Sequence, residues 1–286
     1  MSVTGATKVL ALLGDPVARS LSPQMQNAWI ADFGLDAIYV TLRIPPSGAD
    51  DAFRHIGKLE LFGANVTVPY KELAARYAGS RAGIVEQIGA ANTLCWTSNE
   101  LIAHNTDYIA TARAIEEAAP GFLRHAKKVI VVGGGGAARA MAFGVAGEDG
   151  PEIVIINRSL EKAQVIASAI APRVKAGARA AAWADMAVEM QDGDLLINAT
   201  TLGMYGVDET RWPVEALPAH AVVFDAVYIP LETPLLAAAR ARGLCVIDGL
   251  SMLTHQGAEA FQNWFGQRPD TQLARARLLS IIRGRA

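Results

Sequence analysis

The stretch VVGGGGAARA, residues 131–140, constrains the fold more than any other segment of its length. A β-branched run closes on successive glycines and gives way to alanines, which reads as strand, tight turn and helix in one step. Glycine weakens both a strand and a helix interior by roughly 0.5–1 kcal/mol, so the glycines belong where backbone needs room. A strand that feeds directly into a helix builds a right-handed crossover, and repeated crossovers make a parallel sheet. The neighbouring sequence supplies the repeats. Val129–Val132, Ile153–Ile156, Leu195–Ile197, Val222–Asp225 and Cys245–Ile247 read as strands, and Ala137–Val145, Glu161–Ile170 and Pro234–Arg242 as helices.

A second series precedes it. Val9–Leu13, Ile38–Leu42, Ala64–Val68 and Thr93–Trp96 read as strands, with helices at Pro23–Phe33 and Asp50–Lys58 between them. The expected sheet is mostly parallel, with a hairpin formed by Leu94–Trp96 and Leu101–Ala103 around the turn Thr97-Ser98-Asn99. Ala110–Ala119, Glu259–Trp264 and Thr271–Ile282 read as helices. At 286 residues, 51% hydrophobic and 19% charged, the chain is long and apolar enough to bury two cores. The expectation is an α/β protein of two domains around a cleft, divided into residues 1–106 plus 249–286 and residues 107–248.

The glycine turn predicts what the second domain binds. Gly133, Gly135 and Gly136 permit the close backbone approach that a pyrophosphate needs at a helix N-terminus, and Ala138 stands where the commonest fingerprint has its third glycine. About 24 residues past Gly133, where a carboxylate ordinarily receives the ribose hydroxyls of NAD, the strand ends in Asn157-Arg158-Ser159. An arginine fork suits a phosphate, and Ser159 and Lys162 add a donor and a second cation. The pattern predicts NADP in preference to NAD, on a Rossmann-type sheet.

The first domain carries neutral polar groups at its strand ends. In NVTVPYK (65–71), Asn65 and Thr67 share one face of the alternation, Pro69 stops the ladder and Lys71 follows. SLSPQMQN (20–27) holds Ser20 and Ser22, the latter a natural N-cap before Pro23. GAANTL (89–94) and HNTD (104–107) add Asn92, Thr93, Asn105, Thr106 and Asp107. Ligands of open α/β sheets bind at the carboxyl ends of strands, and a site rich in Ser, Thr and Asn matches a small, highly hydroxylated molecule.

The formal net charge of −2 gives no footing for nucleic acid, and no run has the roughly 18 apolar residues of a membrane span. Lys8–Gly14 is too short for a secretory core. Cys95 and Cys245 sit in apolar runs without metal-ligand spacing, so buried free thiols, no metal and a cytoplasmic location are expected. The expected assembly is a monomer or homodimer.

Taken in order, SLSP, NVTVPYK, GAANTL, NTD, GGGGAARA, NRS, NATTLGM (198–204), DAVYIPLETPLL (225–236) and DGLSMLTHQGAEAF (248–261) make the chain resemble the shikimate dehydrogenase family, which includes quinate/shikimate dehydrogenases. The resemblance implies reversible reduction of 3-dehydroshikimate to shikimate with NADP, on the route to chorismate and the aromatic amino acids. It implies an N-terminal substrate-binding domain beside the NADP-binding one. By the same resemblance Lys71 and Asp107 are catalytic, Ser20 and Ser22 take the substrate carboxylate, and Asn65, Thr67 and Asn92 bind hydroxyls or order the site. Tyr228 and Gln256 complete the substrate contacts. Gly133, Gly135, Gly136 and Ala137 hold the pyrophosphate, and Asn157, Arg158, Ser159 and Lys162 the adenosine phosphate. Met204, Gly249 and Met252 flank the nicotinamide. Lys71 acts either as acid–base or through its charge.

Four positions depart from the family's usual pattern. Arg19 replaces a histidine, Gln26-Asn27 replaces the common His-Asn and is similar to the quinate/shikimate branch, and Tyr108 and Ala110 replace glycines. Two alternatives therefore stand beside the main reading: a paralogue with another hydroxy-acid or cofactor preference, and a non-catalytic NADP sensor.

Overall fold

The first apolar run forms β1 (Lys8–Gly14), and its last five residues are buried. In this computed structural model the structure describes residues 3–98, 100–206 and 211–285, so Asn99 of the expected turn lies outside the described residues. Next come α1 (Ser22–Asp32), β2 (Ala37–Arg43), α2 (Ala49–His55), β3 (Gly63–Val66) and α3 (Lys71–Tyr77). The short elements β4 (Ser80–Arg81) and α4 (Val85–Ile88) lead to the hairpin β5 (Thr93–Trp96) and β6 (Leu101–His104). Gly34, at φ 63°, follows α1 in the left-handed conformation that suits glycine. Asp50 and Asp51 open α2 while Arg54 and His55 close it, the charge order that the helix dipole favours.

Then follow α5 (Asp107–Ala118), β7 (Lys128–Val132), α6 (Gly136–Val145), β8 (Glu152–Asn157), α7 (Leu160–Ile170), β9 (Ala178–Ala182) and α8 (Met186–Glu189). The chain continues through β10 (Leu195–Asn198), β11 (Val222–Asp225), α9 (Pro234–Ala241), β12 (Cys245–Ile247), α10 (Gly249–Phe265) and α11 (Thr271–Arg285). It separates into two compact units, Met1–Thr106 with Leu253–Ala286, and Asp107–Met252. The division falls inside α10, which runs unbroken from Gly249.

Among the described residues each unit holds one six-stranded sheet. The first has the order β2-β1-β3-β5-β6-β4. It is parallel across β2, β1 and β3, and again between β4 and β6, while β5 runs antiparallel to both of its neighbours. The second sheet is parallel throughout, ordered β12-β11-β10-β7-β8-β9. Counted from β7, that is the 3-2-1-4-5-6 order of dinucleotide-binding sheets, with its reversal between β7 and β10.

Several expectations change. β3 ends at Val66, because Val68 turns to solvent and Pro69 has no N–H to extend the ladder. The strand β9, ARAAA, reads as nothing in the sequence: alanine has little strand preference, and edge pairing to β8 alone holds it. The helix expected at Glu259–Trp264 begins ten residues earlier, at Gly249. Cys245 is exposed, not buried, since it opens the edge strand β12, and Cys95 is only partly buried. No helix among the described residues is long and apolar enough to cross a membrane.

The start of β3 is packed tightly. A Cβ on Gly63 would overlap the indole of Trp264, which is itself held by donating to the Leu94 carbonyl at 3.0 Å. Overpacking of this kind costs about 1–3 kcal/mol. Gly63→Ala is expected to lower the denaturant midpoint with an unchanged slope; a midpoint equal to that of the parent would show that Trp264 moves aside freely.

Candidate active site

The topology of the first sheet gathers polar groups at one edge. β1, β2 and β3 deliver their carboxyl ends there, and the antiparallel β5 delivers its amino end, which places Asn65 opposite Thr93. β6 then returns to the same edge, with His104 opposite Thr93. Asn65, Asn92, Thr93, Asn105 and Thr106 are thereby brought together, and all five are buried.

These side chains satisfy one another. Tyr39 donates its hydroxyl to Asn65 Oδ1 at 2.8 Å, and Asn65 Nδ2 donates to the Asn92 carbonyl and to Thr93 Oγ1, each at 3.1 Å. Asn92 Oδ1 accepts the Thr106 backbone N–H at 2.7 Å, and Asn92 Nδ2 donates to Thr106 Oγ1 at 2.9 Å. Asn92 Nδ2 also lies 3.4 Å from Gln256 Oε1, and Gln256 Nε2 donates to the Leu253 carbonyl at 2.9 Å. A buried network with its members paired is rigid, because a lost partner leaves a desolvated polar atom. Asn65 is thus occupied in holding three strands in register. Thr93 and Thr106, polar strand ends in the sequence, join the network as expected, whereas Tyr39 belongs to it although the sequence assigns it no role in the site. For Tyr39 the signal is a hydroxyl in an apolar strand, which needs a partner once buried.

Thr67 follows β3 and donates its backbone N–H to the Leu13 carbonyl at 2.9 Å. Lys71 opens α3, half-buried, and its carbonyl accepts the Ala91 N–H at 2.8 Å, which ties the helix start to the residue before Asn92. The serines are neighbours: Ser20 Oγ lies 3.2 Å from both Ser22 Oγ and the Ser22 backbone N–H. Ser22 is the first residue of α1 rather than its cap, since Leu21 occupies the cap position and no side chain caps the helix. Its hydroxyl is therefore not consumed by the helix end. Of the pair Gln26-Asn27, Asn27 clamps the Tyr39 backbone at 2.8 and 2.9 Å, and Gln26, the departing residue, donates its Nε2 to the Gly257 carbonyl at 3.1 Å.

In the second unit the glycine turn sits at the strand-order reversal. Gly133 has φ 143°, and a Cβ there would lie 3.0 Å from both Ala138 Cβ and the Ala199 carbonyl, the first residue past β10. A Cβ on Gly134 would meet Asn157 Nδ2 at 2.6 Å. At Gly135, the N-cap of α6, a Cβ would meet nothing within 4 Å, and no side chain caps that helix. An open cradle over Gly135, at the uncapped start of a helix begun by Gly136 and Ala137, fits a pyrophosphate. Asn157 turns its amide to the Ser159 carbonyl at 3.1 Å, and Ser159 Oγ caps α7 through the Lys162 N–H at 3.5 Å. Arg158 and Lys162 are both exposed beyond the end of β8. With no acid at positions 157–159, the donor set fits a ribose phosphate.

The remaining residues lie on the β10 and β11 side. Met204 stands in a short turn whose next residue, Tyr205, donates its N–H to the Ile229 carbonyl at 2.7 Å, adjoining Tyr228. Gly249 starts α10 against Ala226, where any Cβ would overlap the Ala226 carbonyl. Met252 is buried, with its sulfur 3.7 Å from Thr111 Oγ1, and Thr111 donates to the Asp107 carbonyl at 2.9 Å. Asp107 is the buried first residue of α5. No group of three or more His, Cys, Asp or Glu among the described residues is placed to hold a metal ion.

Comparison with known proteins matches three family profiles along the chain. Residues 12–94 match the shikimate dehydrogenase substrate binding domain, residues 114–223 shikimate / quinate 5-dehydrogenase, and residues 249–279 the shikimate 5'-dehydrogenase C-terminal domain. The chain is 40% identical over 288 residues to a shikimate dehydrogenase (NADP(+)) of Symbiobacterium thermophilum, covering 98% of this chain and 96% of the relative. The solved shikimate 5-dehydrogenase of Thermus thermophilus, in complex with NADP(H) and shikimate, superposes with a TM-score of 0.82 at 32% identity, covering 94% of this chain and 99% of that one. The quinate dehydrogenase of Corynebacterium glutamicum, in complex with NAD, superposes with a TM-score of 0.83 at 27% identity, covering 96% and 99%.

Proposed function

The chain belongs to the shikimate dehydrogenase family, and from that premise we propose that it catalyses the reversible, NADP-dependent reduction of 3-dehydroshikimate to shikimate. The observation that carries the reading is the polar edge of the first sheet, where hydrogen bonds fix Asn92 and Gln256 at 3.4 Å and Lys71 begins the adjoining helix. When bound, the nicotinamide cofactor supplies or accepts the hydride. The chain's own residues bind, orient and move the proton.

Ser20 and Ser22 present hydroxyls to the substrate carboxylate. Thr67, Asn92, Tyr228 and Gln256 bind ring hydroxyls and the carboxylate surroundings, while Asn65 orders the edge behind them. On reduction, negative charge builds on the carbonyl oxygen, and the Lys71 ammonium meets that charge and transfers its proton there. On oxidation the neutral amine takes the proton back. Asp107 accepts a hydrogen bond from the reacting hydroxyl and sets its orientation. Gly133, Gly135, Gly136 and Ala137 hold the pyrophosphate, Asn157, Arg158, Ser159 and Lys162 the adenosine phosphate, and Met204, Gly249 and Met252 the nicotinamide end. On this reading residues 1–106 with the C-terminal helices form the substrate domain and residues 107–248 the NADP domain. The activity is assigned to the cytoplasm, in a monomer or homodimer.

A second reading, oxidation of quinate, draws on the Gln26-Asn27 departure and on the likeness to a quinate dehydrogenase. The test is oxidation of NADPH by the purified protein with 3-dehydroshikimate, the product identified chromatographically as shikimate. Absence of turnover with 3-dehydroshikimate, shikimate and quinate alike would leave the non-catalytic sensor as the surviving alternative.

A further inference from the structure

Among the described residues the mechanism leaves a fully buried carboxyl unused. Asp225 closes β11, 0% exposed, and sits in register with Asn198, which closes β10 and is also 0% exposed. Three donors converge on it. Asn198 Nδ2 and the Val227 N–H reach Oδ1 at 2.9 and 3.0 Å, and the Thr233 hydroxyl reaches Oδ2 at 2.6 Å. Thr233 Oγ1 accepts the Leu236 N–H at 3.2 Å as the cap of α9, so its own proton is committed to Asp225. Asn198 extends the network the other way. Its Oδ1 accepts the Thr200 N–H at 3.0 Å and the Thr200 hydroxyl at 2.7 Å, and its Nδ2 also donates to the Leu202 carbonyl at 3.2 Å.

Donors that converge from three directions suit an acceptor, and an ionised carboxylate is acceptor-only. Burial pushes the Asp225 carboxyl up to about 6, while the bonds from Thr233, the Val227 N–H and Asn198 pull it back, so at neutral pH it carries its charge. A buried carboxylate is costly to keep, and plain packing would be served by an apolar residue. What the carboxylate joins is specific. One arm enters 199–206, the segment of Met204, and the other enters 226–233, the segment of Tyr228, and the two segments meet at the bond from Tyr205 N–H to the Ile229 carbonyl at 2.7 Å. Gly203, at φ 85°, lies against Thr233, where a Cβ would sit 3.5 Å from Thr233 Cβ.

We propose that Asp225, through Asn198 and Thr233, is a positioning residue for the reaction: it clasps the two loops that carry Met204 and Tyr228 into one rigid unit. The proposal rests on the placement of those two residues at the nicotinamide and the substrate. Its energetic basis is preorganisation, since a misplacement of about 1 Å can cost on the order of 10²-fold in rate.

The test compares Thr233→Val, which keeps size and removes the hydroxyl, with Thr233→Ser, which keeps it, and with Asp225→Asn. For each, kcat per folded protein, KM for shikimate, the dissociation constant for NADPH and amide exchange are measured. The expected result is a fall in kcat of about 10- to 100-fold for Thr233→Val, with NADPH binding weakened far less than kcat because the phosphate cradle lies on β7 and β8 and only the nicotinamide end meets the loosened loop. Amides of 199–206 and 226–232 exchange faster, those of β7 and β8 do not, and Thr233→Ser restores both readouts. Parental kcat and loop exchange in Thr233→Val overturn the proposal. So does a loss confined to the melting temperature. Exchange reads the clasp without turnover, so an inactive parent protein would refute the assigned reaction while exchange still decides the clasp.

Discussion

Replacing Lys71 by alanine is expected to lower kcat by about 10³-fold, or about 4 kcal/mol of transition-state stabilisation, with KM for both ligands close to the parent's. The magnitude follows from what the residue is asked to do. Charge appears on the carbonyl oxygen only as the hydride arrives, so a group that meets that charge contributes to the transition state and little to ground-state binding. The position makes the side chain suitable: Lys71 opens α3, and its backbone is fixed by the Ala91 N–H at 2.8 Å, next to the network around Asn92. Lys71→Arg separates the two roles for the residue. Arginine keeps the charge but does not give up its proton, so an acid–base lysine predicts that the arginine variant stays as slow as the alanine one. Recovery to near-parental turnover with arginine would assign Lys71 to charge stabilisation alone. Parental turnover in Lys71→Ala would remove it from the chemistry.

Removing Arg158 is expected to change which cofactor the protein prefers. A charge-assisted hydrogen bond is worth about 1.5–3 kcal/mol, so Arg158→Ala raises KM for NADP by roughly 10- to 100-fold and leaves KM for NAD where it was. Arg158 lies exposed past the end of β8, on the segment 157–159 where NAD-preferring sheets place an acid, and Lys162 follows on α7. The exposed site lets salt screen part of the effect, so the discrimination should shrink as ionic strength rises. An equal rise in KM for both cofactors would place Arg158 at a group they share, and the selectivity would have to come from elsewhere.

Much of this architecture is legible in the sequence because the second unit obeys local rules. Five of its six strands announce themselves as apolar, mostly β-branched runs, and the four glycines mark the turn at the strand-order reversal. Ala178–Ala182 escapes because a strand of small residues is held by its neighbour β8, not by its own preference. The first unit shows the opposite limit. The residues Asn65, Asn92, Thr93 and Thr106 are visible as polar strand ends, but their joining depends on β5 running antiparallel, which no local signal specifies. Tyr39 looks like an ordinary apolar strand residue until Asn65 is placed under its hydroxyl at 2.8 Å. Ser22 reads as a helix cap, and the fold instead makes it the first helical residue with its hydroxyl beside Ser20. Asp225 is visible only as the last residue of a strand and the first of a motif. Its three donors come from β10, from its own loop and from the start of α9, a convergence that only the folded chain creates.

A protein whose polar edge takes shikimate and whose glycine cradle takes NADP should rank four pairs by specificity constant: shikimate or quinate, each with NADP or NAD. The highest kcat/KM is expected for shikimate with NADP, by at least about tenfold over either single exchange, consistent with about 1.4 kcal/mol per decade. A highest value for quinate, or for either acid with NAD, would contradict that order.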